Sequence, residues 1–199
     1  MVTPMRYACP VPRAGSISLV RRSARPSPVT KDRIPVTVHV RAATAADREF
    51  MVSIVPRLRA FGPPPLRPAE ALDTEEAAAL ERALDANAPD AILLIAELEG
   101  VGPAGVAYAV TATDYFTHEQ HGHLSIIIVS AEGEGRGVGR ALLAAVDDWS
   151  VARGHRFITL NVFTGNARAR AFYEWAGYTE DVVRYVKDLG PPAGWPAPG

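Results

Sequence analysis

The sequence predicts a single α/β domain, and three observations predict it. Hydrophobic periodicity switches along the chain between two and about 3.6 residues, in the order β-α-α-β-β-β-α-β-α-β. No linker divides these segments. Of the 199 residues, 48% are hydrophobic, enough for one core of ordinary size.

Taken in order, Val36–Arg41 alternates and is β-branched, which predicts the first strand from Pro35 onward. Thr44 or Asp47 can cap a helix over 46–59, with Phe50, Ile54, Val55 and Leu58 at helical spacing and Pro56 as its kink or end. Residues 68–86 predict a second, surface helix with Leu72, Leu80 and Leu84 on one side and an acidic outer face. Asp90–Leu98 and Gly105–Thr111 flank a turn at 99–103 and predict an antiparallel hairpin. His123–Val129 is the next strand, apolar without a break from Ile126, as a strand buried on both faces would be. Val138, Leu142, Val146 and Trp149 mark a helix ending at Arg153-Gly154. Phe157–Phe163 predicts a strand, Asn166 caps a short helix closed by Gly177, and Asp181–Leu189 alternates as a last strand. The expected domain is 35–189, between a disordered basic tail (1–34) and a flexible Pro/Gly tail (190–199).

The totals exclude several classes of protein. Net charge is −1, so no global field points to nucleic acid or an anionic membrane, and no run reaches the length of a membrane span. The charge is uneven: seven basic residues against Asp32 in 1–34 leave the remainder at −7. One cysteine, Cys9, excludes a disulfide framework and a Cys-rich zinc site, and fits a reducing, cytoplasmic setting.

The densest signal is Glu132–Leu143, EGEGRGVGRALL, with glycine at 133, 135, 137 and 139. Glycine costs roughly 0.5–1 kcal/mol per regular position relative to alanine, so the run implies positive φ or close approach of the backbone to something else. A dinucleotide fingerprint fails on spacing, and a P-loop fails because no Lys-Ser or Lys-Thr pair follows. Two readings remain: a plain strand-to-helix turn, or a helix N-terminus whose unpaired N–H groups cradle phosphate, with Arg136 and Arg140 adding charge.

Downstream lies Asn166-Ala-Arg-Ala-Arg-Ala-Phe-Tyr-Glu-Trp-Ala-Gly-Tyr178. With Val129–Gly139 it resembles the two signatures of the GCN5-related N-acetyltransferases (the GNAT superfamily), Gln/Arg-x-x-Gly-x-Gly/Ala and Asn-x-x-Ala-x-x-Phe-Tyr-x-x-x-Gly-Phe/Tyr, over about residues 36–189. The resemblance implies the acyl-CoA N-acyltransferase fold with a mixed, mostly antiparallel sheet. It also implies acetyl-CoA as cosubstrate, held by Gly135, Arg136, Gly137, Val138, Gly139 and Arg140 and by the strand at Ile128 and Val129, with Asn166 as cap and CoA contact. Tyr173 falls on the position of the family's general acid; its alternative is a helix tyrosine packed beside Phe172.

Two positions depart from the family. Glu134 stands where Gln or Arg is usual and is expected to point outward. Ser125 stands where relatives carry a basic Glu and cannot serve as base unaided. Glu119, His121 and His123 are the other candidates, His123 being expected to share a strand face with Ser125, which could instead hold a water chain. The three histidines His118, His121 and His123 are read as a loop rather than a metal site, and no metal is expected. Trp149, Trp175 and Tyr178 are read as core residues and Asp147 and Asp148 as a solvated face.

The expected activity is transfer of an acyl group to the amino group of a small molecule, protein or peptide, with neither nucleic acid nor membrane as partner and a homodimer compatible. The acidic residues Glu70, Asp73, Glu75, Glu76, Glu81 and Asp85 lean towards a cationic acceptor. The rival reading is a CoA-binding sensor on the same fold without turnover.

Overall fold

The computed structural model describes residues 37–62 and 66–190; the expectations for the two tails lie outside these residues or at their edge. Five strands, β1 (Val38–Ala42), β2 (Ala91–Leu98), β3 (Gly102–Thr113), β4 (Gln120–Val129) and β5 (Ile158–Leu160), form one sheet in sequence order. All neighbours pair antiparallel except β4 and β5, which are parallel. That exception follows from connectivity: the first four strands are joined as antiparallel neighbours, whereas β4 reaches β5 through a helix crossover. Four helices complete the domain: α1 (Arg48–Ile54), α2 (Ala69–Ala86), α3 (Val138–Ala152) and α4 (Ala167–Trp175). Among the described residues no helix is long and apolar enough to cross a membrane.

Each sheet face buries its own core. On one, Val138, Leu142 and Val146 of α3 pack against Leu94, Ala96, Ala107 and Leu124. On the other, Met51 and Ile54 of α1 and Leu80 of α2 meet Ile95, Val106, Ile126 and Ile128. In β4, Ile126 and Ile128 face one core while Ile127 and Val129 face the other, so the strand is buried on both sides.

Some expectations change. The helix over 46–59 is split into a 3-10 turn at Ala45–Asp47, α1, and a second 3-10 stretch at Val55–Arg59. Pro56 lacks the N–H that an α-helical bond would use there. The first strand starts at Val38 and β5 covers only three residues. The β3–β4 ladder runs out to Thr113↔Gln120, so His121 lies in the strand with His123 rather than in the loop before it. A bulge at Tyr108/Ala109 pairs Ala109 with Leu124 and Tyr108 with Ile126, leaving the exposed Ser125 as the extra residue. It interrupts the alternation that would set Ser125 on His123's face. Asp181–Leu189 forms no strand, and Val182, Tyr185 and Leu189 are exposed at 76%, 90% and 84%. Its alternation is intact, but no described strand offers it a ladder.

Candidate active site

The glycine run is a turn between β4 and α3. Gly133 sits where a Cβ would lie 2.7 Å from the Ala104 carbonyl oxygen, and Gly137, the residue before α3, has φ 86°. A side chain at Gly139 would make only an ordinary contact, 3.5 Å from Val129 Cγ2, so packing does not account for that glycine. The first intrahelical bond of α3 runs from the Ala141 N–H to the Gly137 carbonyl, and no side chain caps the helix. The N–H groups of Val138, Gly139 and Arg140 therefore precede the helical ladder and carry its positive end. The Arg136 N–H donates to Gly133 O at 3.2 Å within the turn, so the grip expected of 135–140 does not include that amide.

Beside this turn β4 loses its parallel neighbour. The β4–β5 ladder stops at Leu124↔Leu160, and Ile126–Val129 pair only with β3. A cavity of about 570 Å³ opens at this divergence. Its wall includes Ile128, Val129, Gly135, Gly137, Val138, Gly139, Arg140, Asn166 and Tyr173, which are most of the residues singled out from sequence. Arg136, His123 and Ser125 do not line it.

α4 forms the opposite wall. Asn166 Oδ1 accepts the Ala169 N–H at 2.9 Å, as a helix cap does. One turn further, Tyr173 is 9% exposed, and burial pushes its hydroxyl up to about 12, so it carries its proton throughout the neutral range. Trp175 is not a core residue: it is 62% exposed, stacked on Phe172 at 6.1 Å and covered by the Arg140 guanidinium at 4.5 Å. The i, i+3 spacing of Phe172 and Trp175 was the available sequence signal.

Glu134 does not point away from the site. Its carboxylate accepts from Arg57 Nη2 and, at 2.8 Å, from Arg168 Nη1, and both arginines line the cavity. Arg168 first, then Arg57, holds that carboxyl below the usual range. Arg57 Nε also donates to the Val129 carbonyl at 2.7 Å. Neither arginine was visible as a site residue, since one lies 77 and the other 34 positions from Glu134. The acidic face of α2 is partly neutralised as well: Asp73 pairs with Arg59, and Glu81 and Asp85 pair with Arg48.

Beyond the cavity along β4, Thr159 Oγ1 lies 2.8 Å from His123 Nδ1 and 3.2 Å from His121 Nε2. A hydroxyl has one proton, so at most one imidazole accepts it and at least one donates N–H to the oxygen. His121 is 6% exposed, stacks on Phe157 at 4.7 Å and keeps a buried Nδ1 without a hydrogen bond. Burial, then neighbouring His121, lowers the His123 pKa, which favours the neutral ring. Among the described residues no group of three or more His, Cys, Asp or Glu is gathered to hold a metal.

A strand parting from its parallel neighbour at a glycine turn and helix N-terminus defines the acyl-CoA N-acyltransferase fold, and solved structures agree. An Arabidopsis thaliana glucosamine-6-phosphate N-acetyltransferase superposes with TM-score 0.56 at 15% identity, covering 77% of this chain and 99% of its own. A Pyrococcus furiosus protein assigned as an acetyl transferase gives 0.63 at 19%, covering 77% and 100%. The aminoglycoside N-acetyltransferase AAC(6')-Iy in complex with CoA gives 0.58 at 22%, covering 78% and 97%. No curated protein matches the sequence significantly. The acetyltransferase (GNAT) family profile matches residues 58–178, and the chain belongs to that family.

Proposed function

We propose that the protein is an acetyl-CoA-dependent N-acetyltransferase acting on a primary amine by direct attack. The observation that carries this reading is the alignment of the α3 N-terminus, the free side of Ile126–Val129 and Tyr173 along one cavity. The residues present fit a phosphate-bearing thioester: unladdered N–H groups, arginines, apolar side chains and the Tyr173 hydroxyl line one cavity.

The acyl group enters as the CoA thioester. Backbone N–H groups around Ile128 and Val129 stabilise the charge developing on its carbonyl oxygen. The amine nitrogen bonds to the carbonyl carbon, the carbon–sulfur bond breaks, and Tyr173 gives its proton to the departing sulfur. The amine's proton passes to His123 Nε2, in the tautomer whose Nδ1–H is held by Thr159. Because His123 stands outside the cavity wall, that transfer runs through water. Leu58, Ala60 and Phe61 add apolar wall to the same cavity. With half of the α2 acidic residues paired to arginines, we assign the acceptor by its amino group and not by a net positive charge.

The test is thiol release from acetyl-CoA against aminoglycosides, polyamines, amino sugars and peptide amines. At least one should elicit release, and Tyr173→Phe should lower kcat by about 10²-fold. Full activity in Tyr173→Phe removes the tyrosine as acid. The second reading, a CoA-binding sensor, draws on Glu134 holding Arg57 and Arg168 and on Ser125 at the usual base position. CoA binding without release by any amine would establish it instead.

A further inference from the structure

We propose that Glu134 is an internal stand-in for the cosubstrate's diphosphate, holding Arg57 and Arg168 across the mouth of the cradle and surrendering Arg168 when the anion arrives. The inference rests on the CoA-binding reading of this cavity and adds a role for the residue that departs most from the family pattern.

Glu134 lies three residues before Gly137, in the turn that leads into α3. A lone carboxylate there would repel a diphosphate. It is not alone, because two arginines on separate elements converge on its two oxygens, Arg57 on Oε1 and Arg168 on Oε2. Arg57 comes from the 3-10 stretch after α1, and Arg168 from the first turn of α4. The carboxylate thus fixes the positions of two cations that would otherwise be separate, long and flexible.

The two arginines are not equivalent. Arg57 is anchored twice, on Glu134 and on the Val129 carbonyl, and its side chain is 34% exposed. Arg168 reaches Glu134 through Nη1 from a side chain that is 63% exposed. Arg168 is therefore the partner that can leave without breaking the turn, while Arg57 stays to neutralise Glu134. The charged residues on the wall are Arg57, Arg140, Arg168 and Glu134, a net of +2. A diphosphate link brings roughly two negative charges, one per phosphorus. Exchange of Arg168 from carboxylate to phosphate conserves the number of ion pairs, and the positive α3 terminus adds its field for the incoming anion.

This arrangement has a measurable signature. In the wild type, binding replaces an internal ion pair by an intermolecular one, so few solution ions are released and affinity depends weakly on salt. Glu134→Gln leaves both guanidinium charges without a carboxylate, although Arg57 keeps its bond to the Val129 carbonyl, and solution anions then cover them in the empty state. That variant should bind CoA about threefold more tightly at low ionic strength, with a steeper fall of log affinity against log salt. Arg168→Gln should bind CoA more weakly than wild type. Pantetheine, which lacks the phosphates, should bind wild type and both variants alike.

Titration calorimetry of the full chain with CoA and with pantetheine, from low to high salt, reads all of these, with melting temperatures checking that each variant is folded. Unchanged or weaker CoA binding by folded Glu134→Gln overturns the proposal, as does unchanged CoA binding by folded Arg168→Gln. Because Arg168 is exposed on α4, its variant tests the exchange even if Glu134→Gln disturbs the turn. Failure of CoA to bind any form, wild type included, overturns the CoA reading and this inference with it. Failure of the variants alone overturns only the exchange.

Discussion

His123 and Tyr173 are asked for opposite proton transfers, and their surroundings hold each in the protonation state its transfer starts from. Burial and His121 lower the His123 pKa, so the neutral ring persists to more acidic pH than the usual 6.5. If His123 takes the amine's proton, kcat/KM rises with pH through a limb centred below that value, and His123→Gln removes the limb. An unchanged pH–rate profile in that variant excludes His123 as base. Tyr173, pushed up to about 12, contributes no alkaline limb in the neutral range. The placement of Tyr173 on the cavity wall and the Asn166 cap were legible because both follow from spacing within one short helix. The Glu134 pairings were not, because sequence places neither Arg57 nor Arg168 near the turn. Trp175 misled for a related reason: a tryptophan beside a helix end usually packs inward, whereas here Arg140 and Phe172 give it a place on the cavity wall.

At the scale of elements, α4 has nine residues and relies on its cap. Asn166→Ala removes the acceptor for the Ala169 N–H and should cost about 1 kcal/mol, roughly 2–4 °C in melting temperature for a domain of this size. Since α4 also carries Tyr173, kcat should fall more than KM rises. An unchanged melting temperature would show that the cap contributes nothing. Elements whose signals are local were read correctly from sequence: the α2 pattern, the β2–β3 hairpin, and α3 closed by Gly154 at φ 76°. Those that depend on a neighbour were not. β4 is lengthened by its ladder with β3, β5 is shortened where β4 diverges, and 181–189 has the alternation of a strand without a partner. Periodicity selects which face a strand would bury, but only pairing makes the strand.

For the molecule as a whole, the two cores are separated by the sheet, and β1 at its edge is tied to the start of α1 by charge. Asp47 is 3% exposed; its carboxylate accepts two bonds from Arg41, each 2.8 Å, and the Thr44 N–H and Oγ1–H at 2.8 and 2.9 Å. Arg41 also reaches Glu97 of β2, so one guanidinium joins β1, β2 and the approach to α1. These bonds, Arg41's foremost, lower Asp47 from 3.8 to about 2. A depressed carboxylate stabilises the fold above its unfolded value, and that contribution is lost as pH falls through the folded value. The window is therefore pH 4 to 2, and the shift corresponds to about 2 kcal/mol. Glu132, Glu134 and Asp114 are also lowered, but they lie at the surface where solvent screens them, so Asp47 should dominate the acid end of the stability curve. Denaturant unfolding of the wild type should lose stability steeply across that window. Asp47→Asn should be less stable at neutral pH and flatter between pH 4 and 2, with the two curves converging at the acid end. Parallel curves would mean that another carboxylate couples the sheet edge to pH.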